Sequence, residues 1–272
     1  MDMATILGIA LATFSIVGGH IFEGGHVADI YQPTAGLIVF GGTLAAVMVQ
    51  YNAVILKGAA RDLKECFKPT KYDYRAMIRT IVEMSSKARR EGVLAIEKEL
   101  VYVSDPFMKK ALGMVADGMK VQDIRPTLEL EIDQTENQLT KSAKVYEAGG
   151  GYSPTVGILG AVLGLIHVMK NLSDPSSLGA GIAVAFVATV YGVGIANLFL
   201  LPFAEKIKES VHKKVLSMEL IVEGVCAISA GESPLVTERK LAVYAQHRGS
   251  GDSSEEAGAA ADAAGDAAAQ PA

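Results

Sequence analysis

The chain has 272 residues, half of them hydrophobic, and its mean hydropathy is +0.30. Soluble domains are less apolar than this, so the composition points to a chain that crosses a membrane several times and away from a soluble enzyme or binding module. The net charge of −5 hides an asymmetry: 17 of the 25 Lys and Arg lie between Lys57 and Lys144, seven follow Pro202, and Lys170 stands alone.

The first 22 residues carry Asp2 and no basic start, so they read as a retained span and not a cleaved signal peptide. Span 1 covers 3–22, long enough to cross a hydrocarbon core of about 30 Å. A short loop at 23–32 turns the chain back into span 2 at 33–56. Lys57–Phe67 is expected to continue span 2 as one helix until Lys68-Pro69-Thr70 breaks it.

A basic segment at 57–151 follows, helical in periodicity throughout. The pattern predicts a helix at Tyr74–Arg90 closed by Gly92 and a short one at Leu94–Val103. A third is capped by Asp105 and opened by Pro106. A fourth runs from Pro126 to Ala148. Gly149-Gly150-Gly151 reads as a flexible joint. Span 3 is 152–170, with Pro154 in its first turn. A loop at 171–178 leads to span 4 at 179–203, which ends at Pro202. The segment 204–248 carries a helical apolar stripe, and 249–272 holds too little apolar surface to order itself.

By the positive-inside rule the 57–151 segment and the C-terminal region face the cytoplasm. The expected fold is an all-α integral membrane protein. It has four transmembrane helices, a large cytoplasmic helical domain between spans 2 and 3, and both termini in the cytoplasm. Cys66 and Cys226 are then cytoplasmic and unpaired. The loop 23–32 and the loop 171–178 are periplasmic.

The spans are notable for what they lack. None holds an Asp or Glu in its apolar interior. An ion carrier needs an ionisable group at depth, so any carboxylate must come from another chain. Small residues recur at Ser153, Gly157, Gly160, Ala161 and Gly164, and again at Gly181, Ala185, Ala188, Gly192 and Ala196. Such faces allow close helix approach in lipid, either between spans 3 and 4 or against another subunit. Pro154 and Pro202 each allow two readings, a plain helix terminus or a hinge. Arg89, Arg90 and Glu97 form either a solvated face or a docking surface for a charged partner. No phosphate loop, nucleophile elbow or metal-ligand spacing is present, so neither an enzyme, a cofactor nor a nucleic-acid partner is expected.

GYSPTVGILGAVLGLIHVM in span 3, AVAFVATVYGVGIANLFLLPFA in span 4, and EGGH followed by QPTAGLIVFGGT resemble the MotA/PomA stator subunits of the bacterial flagellar motor. That family lies within the MotA/TolQ/ExbB proton channel superfamily. The resemblance spans about Met3 to Ala245. It implies an inner-membrane ring of five copies around two copies of a MotB-type partner. The partner has a single span that carries the ion-binding aspartate. It implies that Arg89, Arg90 and Glu97 contact the rotor protein FliG, and that Pro154 and Pro202 couple ion flow to motion. Sodium-driven relatives place a threonine where this chain has Ala161, while Thr189 keeps the family's hydroxyl. Losing one oxygen ligand favours H+ over Na+ as the transported ion. The nearest alternative, an ExbB/TolQ-type energiser of envelope proteins, has a single span before its large loop.

Overall fold

A computed structural model describes residues 2–170 and 175–246. Every regular element in that range is helical. Four segments are long and apolar enough to cross a membrane: Met3–Phe22, Val27–Gln50, part of Val121–Lys170 and part of Gly181–Ser229. Contacts among the described residues form two units, 2–70 with 136–170 and 175–212, and 71–135 with 213–246. The expected loop at 171–178 lies partly outside the described residues, and the 249–272 segment lies wholly outside them.

In the first unit, α1 is Met3–Phe22, capped by the Asp2 carboxylate, which accepts from Ala4 N. A short α2, Val27–Ile30, leads to α3, Pro33–Gly36. A π-helical turn at Leu37–Gly41 then joins α3 to α4, Gly42–Gln50. Here the structure corrects the sequence reading. Span 2 does not continue to Phe67: Tyr51 is extended, with φ −120° and ψ 143°. Asn52 then caps a new helix, α5, Ala53–Phe67, by accepting from Ile55 N. An Asn side chain that can satisfy an orphan amide makes such a restart inexpensive. Cys66 is fully buried, and burial pushes its thiol pKa up. The clasp at its end is polar. Lys206 pairs with the Asp2 carboxylate and the Thr5 hydroxyl, and Asp2 N donates to Phe67 O at 2.9 Å.

The second unit is a water-type bundle. It contains α6, Tyr74–Glu91, α7, Ala95–Glu99, a 3-10 turn at Leu100–Tyr102, and α8, Pro106–Ala116. Gly92 adopts φ +88°, which only glycine takes without strain, and stops α6. Asp105 caps α8 by accepting from Met108 N at 2.7 Å. Ile81, Leu112, Ile124, Leu128, Leu220, Ile221 and Leu241 are almost wholly removed from solvent. They are contributed by α6, α8, the start of α9 (Val121–Lys170), the end of α11 (Leu201–Ser229) and α12, Pro234–Gln246. Gly224 lets α11 approach Ile81, since a Cβ there would sit 2.6 Å from Ile81 Cγ2.

Two long helices bear residues of both units. α9 runs unbroken from Val121 to Lys170. The separate helix expected from Pro126 and the joint expected at Gly149–Gly151 are therefore not present. Pro126 falls in the second turn of α9, where it removes the donor that would bond Gln122 O yet leaves the helix continuous. The glycines are helical and serve contact: a Cβ on Gly149 would lie 3.3 Å from Leu200 Cδ1, and one on Gly150 2.6 Å from Leu201 Cδ2. Pro154 consequently lies deep inside a helix and not in a first turn. After α10, Pro175–Ile195, a π-helical stretch at Ala196–Leu200 leads straight into α11, Leu201–Ser229. The helix expected to begin after Pro202 is thus continuous with span 4.

Candidate functional site

The small-residue faces of α9 and α10 meet each other. A Cβ on Gly157 would lie 2.8 Å from Ala188 O and 3.1 Å from Gly192 Cα. One on Gly164 would lie 2.9 Å from Gly181 O, and one on Gly192 2.6 Å from Ser153 O. These obstacles are backbone atoms that cannot swing aside. Of the two readings left open above, intramolecular packing of spans 3 and 4 is the one observed. Span 2 closes a third side, where Gly42 meets Val156 and Ile38 meets Gly160.

Pro154 and Pro202 each remove one rung from a helical ladder. Pro154 takes the donor that would bond Gly150 O, and Pro202 the donor for Leu198 O. Ahead of Pro202 the backbone widens, and Leu201 N–H donates to Ala196 O, five residues back. A π-turn placed just before a proline absorbs the lost rung. The two weakened ladders are adjacent, because Leu201 packs against Gly150. Pro154 is half-buried and Pro202 exposed.

Ala161 is half-buried on the face beside Gly160, and Thr189 is exposed while donating back to Ala185 O at 3.3 Å. Ala161 offers only a methyl group, so the two do not form a shared oxygen ligand set in this chain. The Ser153 hydroxyl is 0% exposed and the Thr43 hydroxyl is buried, and both lack a hydrogen-bond partner. Such orphans are uncommon in a packed interior. Among the described residues, no cluster of three His, Cys, Asp or Glu could hold a metal ion.

One residue gains a role that its sequence position did not reveal. Tyr191, in the C-terminal half of α10, donates its hydroxyl to Ile30 O at 2.5 Å and accepts from Gln32 N at 3.3 Å. Its ring stacks on Phe40, with centroids 5.6 Å apart. It therefore pins the 23–32 loop to span 4. The signal was a tyrosine in an apolar span, whose hydroxyl must find a partner.

In the second unit, Arg89 and Arg90 occupy the last turn of α6, and Glu97 lies in α7, just past Gly92. All three are exposed. Among the described residues none of them is in an ion pair. Lys87 and Glu99 pair behind them and tie α6 to α7.

Residues 101–220 match the MotA/TolQ/ExbB proton channel family, and residues 6–92 match the motility protein A N-terminal family. Motility protein A of Helicobacter pylori is 33% identical over 244 residues, covering 90% of this chain and 95% of that one. The structure of C. jejuni MotAB has a chain 33% identical, with a TM-score of 0.85, covering 90% of this chain and 96% of that one. The flagellar MotAB stator complex from Bacillus subtilis has one 32% identical, with a TM-score of 0.81, covering 89% and 96%.

Proposed function

This chain belongs to the MotA/TolQ/ExbB proton channel family as a MotA-type stator subunit, and from that premise we propose how it works. It is a multi-pass inner-membrane protein of the flagellar motor, and its family consists of ion channels, not enzymes. Five copies surround a MotB-type partner. The partner's single span brings the aspartate that these four spans lack. The observation that carries this reading is the acid-free seam of α9 and α10 in a chain with full-length kinship to MotAB structures.

The transported ion is a proton. Ala161 offers no oxygen beside the seam, and Thr189 spends its hydroxyl on its own helix. A sodium ion needs several oxygens to replace its water shell, whereas a proton needs only the partner's carboxylate and water. One charge crossing 100 mV releases about 2.3 kcal/mol. That is enough to bias two helix arrangements that differ by a kcal/mol or two. Pro154 and Pro202 provide the place for such a change, since neighbouring ladders with missing rungs bend at lower cost.

Both termini and the 71–135 segment lie in the cytoplasm, where Arg89, Arg90 and Glu97 meet the rotor protein FliG. Their exposure and lack of partners fit a surface reserved for a second protein. Deletion of the chain should leave flagella assembled and paralysed, and restoring it should restore swimming at fixed pH with sodium removed. Swimming that persists after deletion would overturn the stator role. Swimming that stops without sodium would overturn the proton.

A further inference from the structure

α5 is tied at both ends to the ends of membrane spans. Its first residue follows Gln50, the last residue of α4, by only a two-residue break. About 22 Å further on, at 1.5 Å per residue, its last turn meets the start of span 1 and the end of span 4. There Thr5 Oγ1 donates to Cys66 O at 3.1 Å, and Cys66 Sγ lies 3.7 Å from Phe203 O. The start of span 1 and the ends of spans 2 and 4 all belong to one boundary of the bilayer. A helix fastened to that boundary at both ends lies along it.

The inner face of α5 is committed to protein. Ala59 and Cys66 are buried, Tyr146 donates to Ala59 O at 2.9 Å, and Asp62 accepts from Ser142 at 2.7 Å. The outer face carries Lys57, Arg61 and Lys64, and Lys68 continues it at the C-cap. Steps of four, three and four place these cations on one stripe, and all four are exposed. Only two acids lie beside them: Asp62 accepts from Ser142 and pairs with Arg61, and Glu65 accepts from Thr70, so the cations stay in excess. Val49 at the end of α4 and Val54 in the first turn of α5 are 89% and 77% exposed, on either side of the break.

We infer that α5 is an interfacial helix whose basic stripe binds the headgroups of anionic phospholipids. The valines enter the acyl boundary and the cations sit at phosphate depth, the arrangement that holds amphipathic helices on charged leaflets. The leaflet is the cytoplasmic one, which rests on the topology proposed above. A row of four cations beside two acids leaves a net positive face, which is relieved where the surface opposite is negative. By this reading α5 anchors the span 1, 2 and 4 ends against the lipid as the spans move.

The test uses the full chain purified with its MotB-type partner, in nanodiscs of phosphatidylglycerol and phosphatidylcholine at 1:3. The phosphatidylglycerol enrichment around the protein is read at low and high salt. Wild type should enrich phosphatidylglycerol at low salt and lose the enrichment at high salt. Replacing Lys57, Arg61, Lys64 and Lys68 by Gln should lower affinity for phosphatidylglycerol several hundredfold, at about fivefold per residue. Should that variant fold poorly, Lys57→Gln and Lys64→Gln singly should each show the fivefold loss. Lys→Arg at 57, 64 and 68 should keep the enrichment, as should Lys98→Gln with Lys109→Gln. No enrichment by wild type, or equal loss in the Lys98 and Lys109 variant, would overturn the proposal. Because no rotation is measured, such a failure leaves the stator reading untouched.

Discussion

The two units of the chain are built by opposite rules. The α9–α10 seam is held by glycine and alanine, with helix backbones in direct contact and large side chains such as Phe186 turned outward. The unit of residues 71–135 and 213–246 is held by Ile, Leu and Met turned inward, with ion pairs such as Arg125–Glu223 across its surface. The difference follows from solvent. In water, burying a large side chain stabilises by about 1.5–3 kcal/mol. In lipid that term vanishes, and only close packing of backbone and small side chains remains. A seam so built is stable yet free of bulky interlocks.

Mirror-image substitutions sharpen the contrast. Leu220→Ala, at a fully buried position of the second unit, should cost about 2–5 kcal/mol and visibly lower the melting temperature of the purified complex. A loss below about 1 kcal/mol would mean that this core is not the main support of its unit. In the seam the sensitive direction is the reverse. Gly157→Val should cost about 1–3 kcal/mol by overpacking. Gly151→Ala, where a Cβ meets nothing within 4 Å, should be neutral or gain up to about 1 kcal/mol in helix propensity. If the two glycine variants melted alike, the seam would not be backbone-limited.

Pro154→Ala restores a rung to α9, so the protein should assemble normally and lose torque, measured as rotation speed per recruited stator. Unchanged speed would return Pro154 to a structural role. Arg90→Glu combined with Glu97→Lys lies on open surface, so its stability change should stay within about 0.5 kcal/mol. Stator recruitment to the rotor should nevertheless fall, and unchanged recruitment would remove both residues from the rotor surface.

The smallest effect concerns pH. The Lys206 and Thr5 contacts hold the Asp2 carboxyl below its usual 3.8. A carboxylate with a depressed folded pKa adds stability above the unfolded value and loses it as pH falls through the folded one. Melting at neutral pH should therefore exceed that of Asp2→Asn slightly, and the two should converge well below pH 3.8.

The spans and most helices of the second unit were legible because period, caps and glycines agreed: Asp105 before Pro106 and Gly92 after α6 mark ends wherever they occur. The seams between elements were not. Asn52 reads as an ordinary polar residue at the foot of span 2, and only the structure shows it restarting a helix. Gly149–Gly151 looks like a joint because glycine favours loops in water, whereas here Leu200 and Leu201 fill the space left at Gly149 and Gly150. Pro154 misled for the same reason, since a proline in lipid need not begin a helix when neighbouring helices support the gap. Ala161 and Thr189 could be placed on a face from sequence, whereas the bond from Thr189 back to Ala185 O depends on a rotamer that spacing does not reveal.

The proposed division of labour gives this chain the wall and the hinge and gives a partner the charge. The direct measurement is proton flux in proteoliposomes holding this chain alone, this chain with a single-span MotB-type partner, and this chain with that partner's intramembrane Asp changed to Asn. Flux should appear only with the intact partner. Flux through the chain alone, or undiminished flux with the Asn partner, would contradict it.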